Sequence, residues 1–331
     1  MEGYSFLRRK IKYWYQRIFR PSSLQYEGPF NFFIIDDGPL IILTFTPCGL
    51  GHVRFMAKEV SPRPCHFLVG FWWSMKDIGR VDAFQRNWKS IKGEYSNIDI
   101  QVLCNTRKEK NIFDRRTKID SHYVNQNCML DEKMWNVEGV DSKKYDAIYN
   151  ARVGRYKRIE LSHKINNLAI ITAPYDGKIE HDDYANELRK RMSHADWLNF
   201  EEEGYRRLSS TEVREHISHA HAGLALSGTE GACYAVGEYL LSGIPVVSTP
   251  SEGGRDVWFT PETCIIVDDT PEAVAEGVQT WKERSPDPRR IREVTIEKVK
   301  NHRRRLFGVV DKIRKNHGKN ISFQEEWKNR S

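Results

Sequence analysis

Leu224-Ala225-Leu226-Ser227-Gly228-Thr229-Glu230-Gly231-Ala232-Cys233-Tyr234-Ala235-Val236-Gly237-Glu238-Tyr239-Leu240-Leu241-Ser242-Gly243-Ile244-Pro245-Val246-Val247 reads as strand, turn, helix and strand in close succession. The strand is expected over Gly223 to Leu226, the helix near Ala232 to Ser242, and the next strand over Pro245 to Ser248. Glu230 then falls at the carboxyl end of a parallel strand, where open α/β sheets place their ligands. The N–H groups of Gly231, Ala232, Cys233 and Tyr234 are expected to face the same place, and with the helix dipole to make an anion site. Glu238 lies two turns further on, about 12 Å along a helix rising about 1.5 Å per residue. The two carboxylates thus address different parts of one ligand.

Outward from this segment, short apolar runs alternate with polar helical stretches. Strands are expected over Ala147 to Asn150, Leu168 to Thr172 and Cys264 to Val267, with helices near Asp183 to Arg191, Ser210 to His219 and Pro271 to Glu283. The first half repeats the alternation, with strands at Asn31 to Ile35, Leu40 to Phe45, His66 to Phe71 and Ile98 to Leu103 and a helix near Asp82 to Tyr95. Two successive α/β patterns predict two Rossmann-like, doubly wound domains facing one another across a cleft, over residues 24–138 and 139–286. The charged, apolar-poor Asp131 to Lys144 fits the linker between them. Asp287 to Asn316 reads as a long basic helix within a tail of residues 287–331.

Composition sets limits on function. The chain of 331 residues is 39% hydrophobic and 29% charged, enough for two closed cores under a water-facing surface. No apolar run reaches the roughly 18 residues of a membrane span. A net charge of +7 favours anionic partners without choosing among phosphates, nucleotides, nucleic acid or acidic lipid. Six cysteines with no C-x-x-C pair read as reduced thiols in a cytoplasmic protein without a secretion signal.

The N-terminus is amphipathic. Tyr4, Leu7, Ile11, Trp14 and Ile18 recur at helical spacing beneath Arg8, Arg9, Lys10, Lys12, Arg17 and Arg20. Such a helix suits a headgroup layer of anionic lipid. It equally suits packing against its own protein with the bases solvated. Pro21, Ser22 and Ser23 end it, so residues 1–23 form a helix and linker.

The Glu230 to Glu238 segment resembles the E-x7-E signature of GT-B glycosyltransferases, in particular glycosyltransferase family 4. The resemblance implies Glu230 beside a donor sugar, Glu238 on the ribose hydroxyls, and the intervening amides on sugar and diphosphate. Tyr149-Asn150-Ala151-Arg152-Val153-Gly154-Arg155-Tyr156-Lys157 resembles the family's first strand and loop of the donor domain, in which Arg152 and Lys157 hold the diphosphate. Two fixed cations stabilise the charge that grows on a leaving phosphate without a metal. Ser251 to Asp256 resembles a Gly-Gly loop of such enzymes, with a tight turn as the plain alternative. Tyr175 to Gly177 and Glu201 to Glu203 are candidates to frame the base.

Nearer the start, Thr46-Pro47-Cys48-Gly49-Leu50-Gly51-His52 resembles the glycine-rich loop that GT-B enzymes set against donor phosphates. It makes Gly51 a backbone contact and His52 a candidate to polarise a phosphate or acceptor hydroxyl. His122, ahead of Asn125 to Asn127, is a candidate catalytic or acceptor contact. The function expected is transfer of a sugar from a nucleotide-diphosphate sugar to a glycan, glycolipid or other hydroxyl acceptor, with retention, with no metal and no cofactor. The alternatives are an epimerase or phosphorylase-like enzyme of the same architecture, or a non-catalytic sugar-nucleotide-binding protein. Asp36-Asp37, Asp182-Asp183 and Asp268-Asp269 lack the D-x-D spacing of a metal site and read as turn and cap residues. Arg303-Arg304-Arg305 comes without any nucleic-acid-binding motif, so no nucleic acid partner is expected.

Overall fold

The computed structural model describes residues 32–137, 142–173, 183–201 and 204–330. The amphipathic segment Tyr4 to Ile18, Tyr175 to Gly177 and Glu202-Glu203 lie outside the described residues. The chain divides into two compact units, one of residues 1–129 with 300–331, the other of residues 130–299.

The first unit is built on five strands in the order β1 (Phe32–Asp37), β2 (Leu40–Thr46), β3 (Cys65–Phe71), β4 (Ile98–Cys104) and β5 (Ser121–Tyr123), with β1 antiparallel and the rest parallel. Their crossovers are α1 (Gly51–Val60), α2 (Ile78–Glu94) and α3 (Arg107–Arg116). The strand order follows the chain without reversal, so right-handed crossovers put all three helices on one face. Alternate strand residues Phe67, Val69, Phe71, Ile98, Ile100 and Val102 face them and pack with Val53, Ala57, Val81, Phe84 and Phe113. At the centre, the rings of Phe71, Phe84 and Phe113 lie 5.4 to 5.8 Å apart.

The opposite face of this sheet is closed from the far end of the chain. Helix α8 (Pro288–Asn316) begins in the second unit, and from Lys300 onward it counts with the first, as does α9 (Phe323–Arg330). Phe307 packs on Phe323, His317 Nε2 lies 2.8 Å from His66 Nε2 on β3, and Asn125 donates its amide to His302 Nδ1 at 3.0 Å. Arg314, 1% exposed, lies 3.1 Å from Asp36 and also pairs with Glu326. Asp36 also accepts from Gly38 in the β1–β2 turn and from Lys319.

The second unit holds a parallel sheet whose spatial order is β13 (Cys264–Ile266), β12 (Val246–Ser248), β11 (Ala220–Ala225), β6 (Tyr145–Arg152), β7 (Leu168–Ala173) and β8 (Asp196–Trp197). A small hairpin pairs β9 (Phe200–Glu201) with β10 (Gly204–Tyr205). The helices are α4 (Asp183–Arg191), α5 (Ser210–Ser218), α6 (Tyr234–Leu241) and α7 (Pro271–Arg284). Chain direction across the sheet reverses between β6 and β11, which pair Ala147 with Ala222 and Ile148 with Gly223. Such a reversal opens a crevice at the strands' carboxyl ends.

Several expectations meet the structure closely, α4 with identical bounds. The predicted start of the α6 helix shifts from Ala232 to Tyr234, because Ala232 and Cys233 form a turn in which Cys233 takes a left-handed φ of 56°. Only the last part of the stretch from Glu230 to Glu238 is helical, so a uniform helical rise does not describe it. The segment expected as a linker is tied down through residue 137: Trp135 is 6% exposed, and Arg292 donates to the carbonyls of Glu132, Trp135 and Leu241.

Candidate functional site

The carboxyl ends of β6 and β11, neighbours at the reversal, carry the candidate residues of the second unit. β6 ends in Arg152, which is exposed and makes no ion pair among the described residues. The chain then turns through Gly154 into a 3-10 turn, Arg155–Lys157, followed by Arg158 at a left-handed φ of 52°. That turn is fixed from below: the hydroxyl of Tyr149, three residues back along β6 from Arg152, donates to the Lys157 carbonyl at 2.5 Å. Lys157 is aimed back at the end of β11.

Its ammonium donates to Glu230 Oε1 at 2.6 Å, with the two side chains 13% and 9% exposed. Ser227 Oγ also donates to Glu230 Oε1. Ser227 is in turn held by Arg255, whose wholly buried guanidinium donates from Nη1 to Ser227 Oγ at 2.9 Å and from Nη2 to the Thr249 carbonyl at 2.6 Å. Burial pushes the Glu230 carboxyl up, but the Lys157 charge, the hydrogen bonds from Lys157 and Ser227, and the Arg255 charge outweigh it and hold it below its ordinary value. Burial likewise opposes the Lys157 ammonium, and the Glu230 charge reverses the effect, raising the lysine above its usual range. Both groups are charged at neutral pH.

The backbone round Glu230 is pinned by the loop after β12. Glu230 donates its amide to the Glu252 carbonyl, Glu252 to Gly228 and Gly254 to Gly231, at 2.8, 2.8 and 2.5 Å. A Cβ on Gly253 would sit 2.4 Å from the Glu230 carbonyl oxygen, so only glycine lets these loops approach. Gly223 serves the same end in the strand: a Cβ there would meet the Tyr239 ring at 2.3 Å. Arg158 adds a third tie, donating to the Leu226 carbonyl, Thr249 Oγ1 and Asp269 Oδ2 at 2.6, 2.7 and 2.8 Å.

Glu238, on α6, meets β6. Its Oε2 accepts from the Asn150 side-chain amide at 2.9 Å, and the Asn150 backbone N–H donates to the Tyr239 hydroxyl at 2.6 Å. Desolvation raises Glu238 to about 7, with the Asn150 bond opposing. Burial and the Glu230 charge push the Cys233 thiol up to about 12, so it stays protonated.

Lys157, Glu230, Gly231 to Tyr234 and Glu238, with Arg152 ending the strand that carries Asn150, therefore form one constellation. Gly51, His52 and His122 belong to the first unit. His52 lies in the first turn of α1, 9% exposed, and burial lowers it to about 4, so its imidazole is neutral at pH 7. Gly51 beside it is exposed. His122 Nε2 lies 2.8 Å from Gln101 Oε1 and is lowered by burial. Sequence reading assigned no role to Asn150, Ser227, Arg158 or Arg255. Arg255 lies inside the Ser251 to Asp256 loop, but nothing local marks its partners, which lie 28 and 6 residues away.

No family model matches the sequence, and no curated protein matches it. Solved structures do, at low identity. Anabaena HepE in complex with UDP aligns with a TM-score of 0.58 at 11% identity, over 82% of this chain and 78% of HepE. S. aureus TarM gives 0.56 at 16%, over 78% of this chain. The pneumococcal O-GlcNAc transferase GtfA, in complex with UDP and GlcNAc, gives 0.53 at 12%, over 79% of this chain. The chain spans about half the length of the latter two, 52% and 56%. With its two mainly parallel sheets of five and six strands, the chain has the GT-B fold of two Rossmann-like units, shared with these glycosyltransferase structures.

Proposed function

We propose that the protein is a glycosyltransferase that moves a sugar from a nucleotide-diphosphate sugar to an acceptor hydroxyl, with retention and without a metal. The observation that carries this reading is the desolvated Lys157–Glu230 pair at the strand-order reversal of the second unit, with Arg152 exposed at the end of the adjacent strand. A lysine ammonium has three donors, so Lys157 can serve Glu230 and phosphate oxygens together. Arg152 and Lys157 stabilise the charge that builds on the departing diphosphate, and the amides at Gly231 to Tyr234 add fixed dipoles. Glu230, locked as a carboxylate, orients the donor sugar. Glu238 accepts from the ribose hydroxyls. The uridine nucleotides in the HepE and GtfA structures make uridine donors the first to test.

Residues 130–299 take the donor and the other unit takes the acceptor, a glycan, glycolipid or other hydroxyl compound, with His52 and His122 as its candidate contacts; Gly51 remains a candidate backbone contact of the donor phosphates. In this reading the enzyme is cytoplasmic, and residues 4–20 bring it to an anionic membrane surface; the support is their sequence pattern of aromatic stripe and bases. Among the described residues no helix is long and apolar enough to cross a membrane. Thermal unfolding in a panel of nucleotide sugars tests the core claim, since a ligand at 100 times its Kd stabilises by about 2.7 kcal/mol. Stabilisation by one donor, lost in Arg152→Ala together with a roughly 10²-fold fall in EDTA-resistant transfer, is expected. No stabilisation by any donor, or an Arg152→Ala enzyme with undiminished turnover, would overturn it.

A further inference from the structure

The first unit carries a cationic cluster with no part in the donor chemistry. Tyr123 ends β5, and its ring is flanked by the Arg107 guanidinium at 4.9 Å and the Arg305 guanidinium at 4.7 Å, with the His302 imidazole edge-on at 4.8 Å. Arg107 is the first residue of α3, and Arg305 arrives on α8. Both are exposed. A cation over a tyrosine face is modestly favourable. Two guanidinium carbons no more than about 10 Å apart repel one another, and Arg107 also opposes the positive end of its own helix dipole.

Among the described residues neither arginine forms an ion pair with a carboxylate, and the acids of α3 are engaged elsewhere. Glu109, fully buried, accepts from the Thr106 and Met75 amides, both at 2.9 Å. Asp114 takes Lys110 and the Ser121 hydroxyl, both at 2.5 Å. The ring holds two cations together at the carboxyl ends of β4 and β5, the edge at which parallel sheets present ligands, with no carboxylate paired to either among the described residues.

We infer that Arg107, Tyr123 and Arg305 form a binding site for a phosphate group. A phosphate has three terminal oxygens in tetrahedral array and up to two charges, so it can accept a fork from one arginine and still draw on the charge of the other; a planar carboxylate has two oxygens and one charge. The site stands on its own geometry. Its assignment to the acceptor, which would then be a phosphorylated compound or one joined to a phosphate-bearing lipid, rests on the glycosyl-transfer reading.

Titration calorimetry with inorganic pyrophosphate tests the site, in a Lys157→Ala background so that the donor clamp contributes little. One equivalent should bind, with affinity falling roughly tenfold in Arg107→Gln or Arg305→Gln and out of range in the double variant. Tyr123→Leu, which removes the platform but neither charge, should weaken binding about threefold or more. Unchanged urea midpoints in the exposed arginine variants would show that folding is intact. A double variant that binds pyrophosphate as well as its parent overturns the inference. Co-sedimentation with phosphatidylcholine vesicles, with and without phosphatidic acid, separates the two sources of phosphate. Phosphatidic-acid-dependent binding lost in the arginine double variant assigns a lipid headgroup, and equal sedimentation of the two proteins assigns a soluble phosphorylated ligand. Donor binding, followed with nucleotide sugars in the Lys157-intact chain, fails or survives independently.

Discussion

Replacing Lys157 by Met keeps the length and packing of the side chain and removes its charge. Glu230, 7% exposed overall, would keep the Ser227 hydroxyl and the nearby Arg255 charge but lose its only direct ionic partner among the described residues, 2.6 Å away. Breaking one side of a buried pair costs about 3 to 5 kcal/mol, and the surviving Ser227 bond argues for the lower end, about 3 kcal/mol. Glu230→Gln should cost about as much, since it strands the ammonium instead. With both changes neither charge remains to be stranded, so the double variant should lose less than the sum, with a coupling energy of about 2 to 3 kcal/mol. Urea unfolding followed by circular dichroism and by tryptophan fluorescence measures this, two probes being needed because a two-unit chain need not unfold in one step. The sign with pH follows from the depressed Glu230 carboxyl: its contribution is complete above the ordinary carboxylate range and is lost as pH falls through the folded value. Additive single effects, or single variants within about 0.5 kcal/mol of the parent, would refute a desolvated, mutually dependent pair.

Glu238, raised to about 7, keeps its proton in the folded chain while the unfolded chain releases it near 4.5, so its share of stability falls between those values and is level above them. If it accepts from ribose hydroxyls as a carboxylate, nucleoside diphosphate affinity should rise about tenfold from pH 6 to pH 8, following the ionised fraction. Calorimetry on Glu238→Gln should give a flat profile, and an unaltered slope would remove Glu238 from the binding site. Arg314→Met leaves Asp36 with Lys319 at 3.0 Å and removes the Arg314 pair with Glu326, and should destabilise the first unit by about 3 kcal/mol. A urea-derived change below about 1 kcal/mol would show that the pair closing the tail onto β1 contributes little.

Central strands such as Leu40–Thr46 and Cys65–Phe71 are legible because, buried almost throughout, they read as near-continuous apolar runs broken only by threonines and by His66. Helix Arg107–Arg116 is not, since only Ile112 and Phe113 among its ten residues are apolar, and its one local mark is the capping box from Thr106 to Glu109. Lys157 and Glu230 stand out because each lies within a short pattern that fixes its place at a strand end. Asn150, Arg158 and Arg255 do not, because their meaning lies in partners distant along the chain: Asn150 with Glu238 88 residues on, Arg158 with Asp269 111 residues on. Histidines show the opposite difficulty. His52 looks reactive in a glycine-rich loop, and only its burial, invisible in sequence, makes it a neutral group.

The first unit is opened by the chain's early residues and completed by its last ones, and that sets an order on synthesis. When a ribosome has made β1 to β5, the helix that carries the buried Leu306, Val310 and Ile313 has still to be made. At about 5 to 20 residues per second, the intervening residues take roughly 10 to 35 s to emerge. During that interval His66 lacks His317, and Asp36 lacks Arg314 and Lys319, while the second unit is free to fold. Chains arrested after residue 299 should therefore be cut by protease within residues 32–129 and released full-length chains should resist; equal resistance would show that the half-covered sheet is stable without its closing helix. A vector for the first unit alone must join residues 300–331 to residues 1–129, because no uninterrupted stretch of the gene encodes it.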